Sequence, residues 1–366
     1  MSTPFDELKY FNAFNLFPEI GAVRFKKLLA YFPTLQGAWT AGAGEFKQAG
    51  LDENLIEKIV QGRKTINPDE EFEKLEKEGV SIITIKDESY PKLLKEIHDP
   101  PAILYIKGGF KPEDEYTLAI VGTRHPTSYG IQVAAELTHK LSTAGLTVVS
   151  GLARGIDTIT HKTCLEAKGR TIAVVGSGID QKSIYPQSNR KLSDIISENG
   201  ALISEYPIGT EAMPYHFPAR NRIISGLSLG TLVVEAAEKS GTFLTANHAL
   251  DQNRQVFAVP GPIYSKNSLG PNNLIKMGAK LTTNVQDILE ELNLASLTEQ
   301  VEAKKIIPDS KEEALIIDLL SAEPIHIDKI VAATKLDTAT VSSTLTLLEM
   351  KGNVRNLGGM QYVLTR

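Results

Sequence analysis

Between Thr117 and Val259 the chain repeats one pattern: a short apolar run, a turn rich in Gly, Ser or Asn, then a stretch of helical character. The runs are LAIV, LTVVS, TIAVV, ALIS, TLVVE and QVFAV. A strand that is apolar on both sides must be covered on both faces, and a parallel sheet with helices packed on each side provides that cover. The connections, such as the one from Ser150 to Thr171, are long enough for right-handed crossovers. This predicts an α/β class with a Rossmann-like parallel sheet domain over residues 117–292.

A chain of 366 residues exceeds what one core usually organises. Residues 1–65 read as a small N-terminal helical domain. Leu51, Leu55, Ile56 and Ile59 recur at helical spacing, and the turn PEIG (Pro18 to Gly21) resembles half of a helix-hairpin-helix. Domain packing and direct DNA contact are both open for that turn. Residues 66–116 are a transitional segment leading into the sheet, with a charged helix, a strand VSIITI and the turn-rich DPPAILYIKGG. Residues 293–310 are polar without a sustained pattern and read as a linker. Residues 311–366 carry three helical segments and a hairpin with Gly358 and Gly359 at its tip, which is winged-helix order.

The turns after the strands carry the chemistry. IVGTRHPTSYG (residues 120–130) runs from a strand through Gly122, Thr123 and Arg124 to a helix opened by Ser128. Backbone amides and a guanidinium converging outside a strand's carboxyl end form an anion site. SGLARGID places Gly151 and Gly155 around Arg154, with Asp157 bracing the bend by accepting amide hydrogen bonds. FPARNR adds Phe217, Arg220, Asn221 and Arg222; Phe217 would stack on a base while the arginines meet phosphates. Three such segments suit a ligand with several phosphates, a polynucleotide backbone or a nucleotide.

Signs of catalysis are thin. The glycine spacing is neither G-x-G-x-x-G nor G-x-x-x-x-G-K-[ST], and VVGSG (Val174 to Gly178) is not followed directly by a helix. No Ser/His/Asp or H-E-x-x-H arrangement is legible, and the single cysteine, Cys164, offers neither a disulfide nor a metal cluster. Glu235, at the end of TLVVE, reads as a loop brace. No cofactor or metal is expected. The formal charge of -5 excludes a broadly basic protein, yet residues 116–290 hold three more basic than acidic residues. No signal segment and no apolar run of spanning length is legible, so a cytoplasmic protein with no membrane partner is expected.

As a set, GTRHPTSYG, SGLARGID, YPQSN, SEYP, FPARNRIISGLS, VVEAAEKSGTFLTANHAL and VFAVPG resemble the DNA-processing protein A (Smf) family, which acts in bacterial natural transformation. The resemblance is dense over residues 117–262 and loose outside them. It implies a non-catalytic mediator that binds and protects incoming single-stranded DNA, helps load the RecA recombinase, also onto DNA coated by single-strand-binding protein, and forms a homodimer. The family's DNA-contacting arginine falls on Arg124, and its aromatic and basic segment on Phe217, Arg220 and Arg222. Ser240, Gly241 and Thr242 of the SGT turn join the implied set. Some members carry a lysine where this chain has Pro214; Lys182 or Arg190 would substitute. The alternative is a nucleotide-processing enzyme resembling the LOG-type phosphoribohydrolases, whose P-G-G loop is replaced here by SLGTLVVE.

The third helix of the tail, TATVSSTLTLLEM, holds no Lys, Arg, Asn or Gln. Those side chains do most reading of base edges and gripping of phosphates. The tail is therefore expected to be a protein contact or auxiliary surface and not a sequence-specific duplex reader.

Overall fold

The computed structural model describes residues 4–238, 240–294, 309–320, 325–351, 353–356 and 358–364. The chain divides into two compact units, residues 1–295 and 296–366. Most of the expected linker, residues 295–308, lies outside the described residues.

The first unit is built on a nine-stranded sheet. Its strands are β1 (Ser81–Thr84), β2 (Ile103–Gly108), β3 (Thr117–Val121), β4 (Thr147–Ser150), β5 (Thr171–Val174), β6 (Ala201–Ser204), β7 (Gly230–Val233), β8 (Gln255–Ala258) and β9 (Lys280–Leu281). Their spatial order is β1-β2-β6-β5-β4-β3-β7-β8-β9. From β6 through β3 to β9 every pairing is parallel, and β3, β4, β5, β6 and β7 are buried along their whole length. That is the two-faced burial which continuous apolar runs require.

The sheet is mixed, because residues 66–116 contribute two antiparallel strands: β2 pairs with β6, and β1 with β2. The strand in ILYIKG is hard to see in the sequence, because prolines precede it and glycines close it. Its Tyr105 is fully buried, and the phenol donates to Asn12 at 2.8 Å. This region is where the N-terminal helices meet the sheet. Phe11, Phe14, Phe25 and Phe46 share one apolar cluster with Tyr105 and Leu202, so the helices pack on the sheet and do not form a separate core.

β3 sits between β4 and β7. The chain builds β4, β5 and β6 on one side of it, then crosses to lay β7, β8 and β9 on the other. Ligands bind outside the carboxyl ends of strands at such a switch point. The turns after β3, β4, β5 and β7 all open there.

One buried group gives the fold an acid sensitivity. His161, in helix Ile156–Glu166, is fully buried, and its Nδ1 lies 2.7 Å from Thr171 Oγ1. Burial and then Arg220 push its pKa down to about 3. The unfolded chain takes up that proton near the ordinary value of about 6.5 while the native chain refuses it, so stability falls as pH drops through 6.5 towards 3. Asp157 works in the opposite sense, since burial raises its pKa and the native state holds its proton more tightly. Between pH 7 and pH 5, His161 alone is expected to remove about 2 kcal/mol. Denaturant titrations at both pH values should show that loss in the wild type and not in His161→Asn. An equal loss in both proteins would place the sensitivity elsewhere.

The second unit has helices Lys311–Ile317, Ile327–Thr334 and Thr338–Met350 and an antiparallel sheet of β10 (Ile325–His326), β12 (Gln361–Leu364) and β11 (Val354–Asn356). Gly358 and Gly359 turn the hairpin with φ of +91° and +59°. Ile316, Ile330, Val341, Leu345 and Leu348 form its core. Helix Thr338–Met350 leaves Ser342, Ser343, Thr346, Leu347 and Met350 exposed. Lys351, just after it, is held by Asp309 and Glu313 at 2.6 and 2.5 Å.

Candidate nucleic-acid interface

Two braces shape the turns at the switch point. In the first, the Glu235 carboxylate accepts from the Thr127 amide at 2.9 Å and its hydroxyl at 2.5 Å, while the Glu235 carbonyl accepts from the Thr123 amide at 2.7 Å. This ties the turn after β7 to the turn after β3. Thr127 also caps helix Ser128–Thr143 by accepting from the Gly130 amide. A Cβ on Gly130 would lie 2.2 Å from Glu235 Oε2, so the brace needs glycine there.

The second brace is Asp157 with Arg220. Asp157 Oδ2 accepts from the amides of Gly151 and Ala153 at 3.1 and 3.3 Å. Arg220 Nη1 donates to the Gly151 carbonyl at 2.6 Å and to that of Val174. Gly151 is thus held by its amide and its carbonyl, and Arg220 joins the ends of β4 and β5. Burial pushes the Arg220 pKa down to about 10, so it stays charged at neutral pH. Gly155, with φ of +76°, brings the second turn against the first; a Cβ there would lie 2.3 Å from the Thr123 carbonyl oxygen.

The braced turns surround a cavity of about 140 Å³ lined by Arg124, Arg154, Arg220, His125, Tyr185 and Phe217, with Gly151, Ala153 and Pro186. Arg124 and Arg154 are exposed at its rim, and Arg220 is its buried wall. The Arg124 guanidinium lies 5.4 Å from the centroid of the Phe217 ring, and the Tyr185 ring lies 5.8 Å from it at 44°. Three cations and two aromatic faces converge on a space the size of one small group. The arrangement suits a phosphate beside an unstacked base.

Of the residues singled out in the sequence, Arg124, Gly151, Arg154, Phe217 and Arg220 meet at this cavity, with Gly122, Thr123 and Gly155 forming its supporting turns. Ser128 is exposed on the first helical turn. Arg222 does not join them. It is 8% exposed, and its guanidinium binds Glu205 at 2.5 Å and Asp99 at 3.2 Å, pointing into a different cavity. Lys182 is exposed and Arg190 half-buried; Arg190 Nη2 donates to the Lys182 carbonyl at 2.6 Å, and neither lines the cavity. Asn221 reaches the Gly241 carbonyl at 3.4 Å beside the Ser240–Thr242 hydroxyl pair, a separate polar turn before helix Thr242–Asp251. Tyr185 and His125 line the cavity although neither was marked as a site residue in the sequence. Each stands inside a quoted motif, YPQSN and GTRHPTSYG, but nothing local says that the Tyr185 ring meets Phe217 or that His125 lines the same cavity. Among the described residues no group of three or more His, Cys, Asp or Glu side chains is placed to hold a metal ion, and no helix is long and apolar enough to cross a membrane.

A doubly wound sheet whose carboxyl-end turns gather arginines and aromatic rings defines an anion-binding α/β protein of the Rossmann-like class. The chain belongs to the DNA recombination-mediator protein A family, whose model matches residues 81–293, while the DprA winged helix domain matches residues 300–360. Protein Smf of Synechocystis is 35% identical over 97% of this chain and 98% of its own length. The X-ray structure of DNA processing protein A from Streptococcus pneumoniae superposes with a TM-score of 0.66 at 33% identity, covering 79% of this chain and 98% of that one. DNA processing protein A from Helicobacter pylori, whose structure is described in terms of its single-stranded DNA binding mode, gives 0.52 at 31% identity over 58% of this chain and 95% of that one.

Proposed function

We propose that this protein is a non-catalytic, single-stranded DNA-binding recombination mediator. It holds incoming DNA through the turns around Arg124, Arg154, Phe217 and Arg220, protects it, and helps load RecA, including onto strands coated by single-strand-binding protein. The observation that carries this reading is the cavity in which Arg124 lies over Phe217 with Arg154 at the rim. A backbone phosphate fits it while an unstacked base lies on the rings at its edge, whereas the bases of a duplex are already stacked and paired. The winged helix serves as a protein contact or auxiliary surface. The protein acts in the cytoplasm as a homodimer, which would join two such sites on one strand and raise the effective affinity.

The enzyme alternative has little support, because the Glu235 carboxylate accepts from the Thr127 amide and hydroxyl and is placed as a brace between two turns, and the P-G-G loop of the phosphoribohydrolases is replaced by SLGTLVVE. Fluorescence anisotropy of an unstructured oligonucleotide against a duplex of equal length tests the reading. Tighter binding of the single strand, weakening steeply with added salt, is expected. Equal or better binding of the duplex would reject it.

A further inference from the structure

A second and larger cavity, about 800 Å³, lies between the turn Leu16–Gly21 that follows the first helix and the sheet end at Glu205. It adjoins the arginine cavity across one turn of helix His216–Gly226. Phe217 and Arg220 line the small cavity, and Tyr215, His216, Ala219 and Arg222 line the large one. Neighbouring residues of one helical turn therefore wall both cavities.

The ring content of this cleft is high. His216 stacks on Tyr206 with centroids 4.1 Å apart at 29°, and Tyr215 stands edge-on to His216 at 4.6 Å while remaining 67% exposed. Burial lowers the His216 pKa and outweighs the Gly176 carbonyl, 3.1 Å from Nδ1, which favours the charged form.

The charge pattern gives a phosphate less hold here than at Arg124. Two of the three cations that line the cleft are paired with carboxylates, Arg24 with Asp52 at 3.0 Å and Arg222 with Glu205 and Asp99, while the exposed Lys27 donates to the Gly50 carbonyl at 2.7 Å and keeps its charge at the rim. Asp99, Glu205 and Glu211 also face it. The exposed Glu211, and the acceptor sites left on Glu205 and Asp99 beside Arg222, accept hydrogen bonds from ring N–H and exocyclic amino groups. Stacked rings beside such acceptors match the chemistry of a nucleobase.

We propose that this cleft receives unstacked bases of the same single strand whose backbone is held at Arg124, the strand crossing the first turn of helix His216–Gly226 between the two cavities. The proposal rests on the single-strand reading above. The cleft has room for more than one base, and its floor favours bases that present amino groups.

The test uses the full chain and two oligonucleotides of about 15 nucleotides, a length within the usual single-strand site range. One is cytosine-rich; the other has the same phosphates with abasic residues in place of the bases. The Tyr215→Ala variant, whose exposed ring leaves the core untouched, should bind the normal strand several-fold more weakly and the abasic strand as the wild type does. Photo-cross-linking with 5-iodocytosine should label peptides containing Tyr206 or Tyr215. If Tyr215→Ala weakens both strands equally or neither, or if cross-links fall only at Tyr185 and Phe217, the cleft is not a base site, while the single-strand reading stands as long as Arg124→Ala still weakens binding. If neither strand binds the wild type, the single-strand reading falls and takes this proposal with it.

Discussion

Replacing Arg220 with alanine is expected to destabilise the first unit by roughly 3–5 kcal/mol, the usual cost of removing one member of a buried charged network. Arg220 is 5% exposed, and its guanidinium donates to the carbonyls of Gly151 and Val174, one at the end of each of two neighbouring strands. Without it both carbonyls lose their donor, and Asp157 loses the charge that offsets its burial. Arg220→Lys should recover part of the loss, because it keeps the charge while a single ammonium replaces the planar fork that spans the two acceptors. Urea denaturation of the three proteins at neutral pH measures the difference. DNA affinity should fall with stability, since the turn bearing Arg154 is anchored through Gly151. A variant of wild-type stability that bound DNA poorly would make Arg220 a strand contact and remove its bracing role.

Arg220 and Arg222 also show where sequence reasoning stopped. Two residues apart in FPARNR, they look alike as cations near an aromatic ring. What separates them is tertiary: Arg222 meets Glu205 and Asp99, from β6's end and from the segment before β2, and no local pattern announces either partner. The parallel strands were legible because two-faced burial writes itself as an unbroken apolar run, as in Leu118–Val121 and Val148–Val149. β9 was not, since a two-residue edge strand of Lys280 and Leu281 has no periodicity to read. β2 was masked by the prolines before it and the glycines that close it, although Tyr105 and Ile106 are as buried as any core residue. For the site, glycine turns and arginines at strand ends could be marked directly. The ring contacts of Tyr185 and the cleft floor at Glu205 depend on which turns approach one another, and that follows from strand order.

The exposed arginine gives the opposite signature to the buried one. Arg124→Ala should leave stability within about 1 kcal/mol of the wild type, because its main intramolecular partner is the Phe217 ring, a cation–π contact of modest strength. Its effect should appear in binding. A charge-assisted hydrogen bond to phosphate contributes about 1.5–3 kcal/mol, or roughly ten- to a hundredfold in affinity for an unstructured oligonucleotide. Each neutralised phosphate also adds about 0.7 to the slope of log affinity against log salt for single strands, so the variant should lose about that much slope. Phe217→Ala separates charge from stacking: it should lose about 1–3 kcal/mol of binding with the slope unchanged. Lys95→Ala, at an exposed position outside both cavities, should change neither quantity. Anisotropy titrations at four or more salt concentrations give both numbers for each variant. If Arg124→Ala and Lys95→Ala gave the same affinity and the same slope, the turn after β3 would not hold the backbone, and the strand would have to be sought on another face of the sheet.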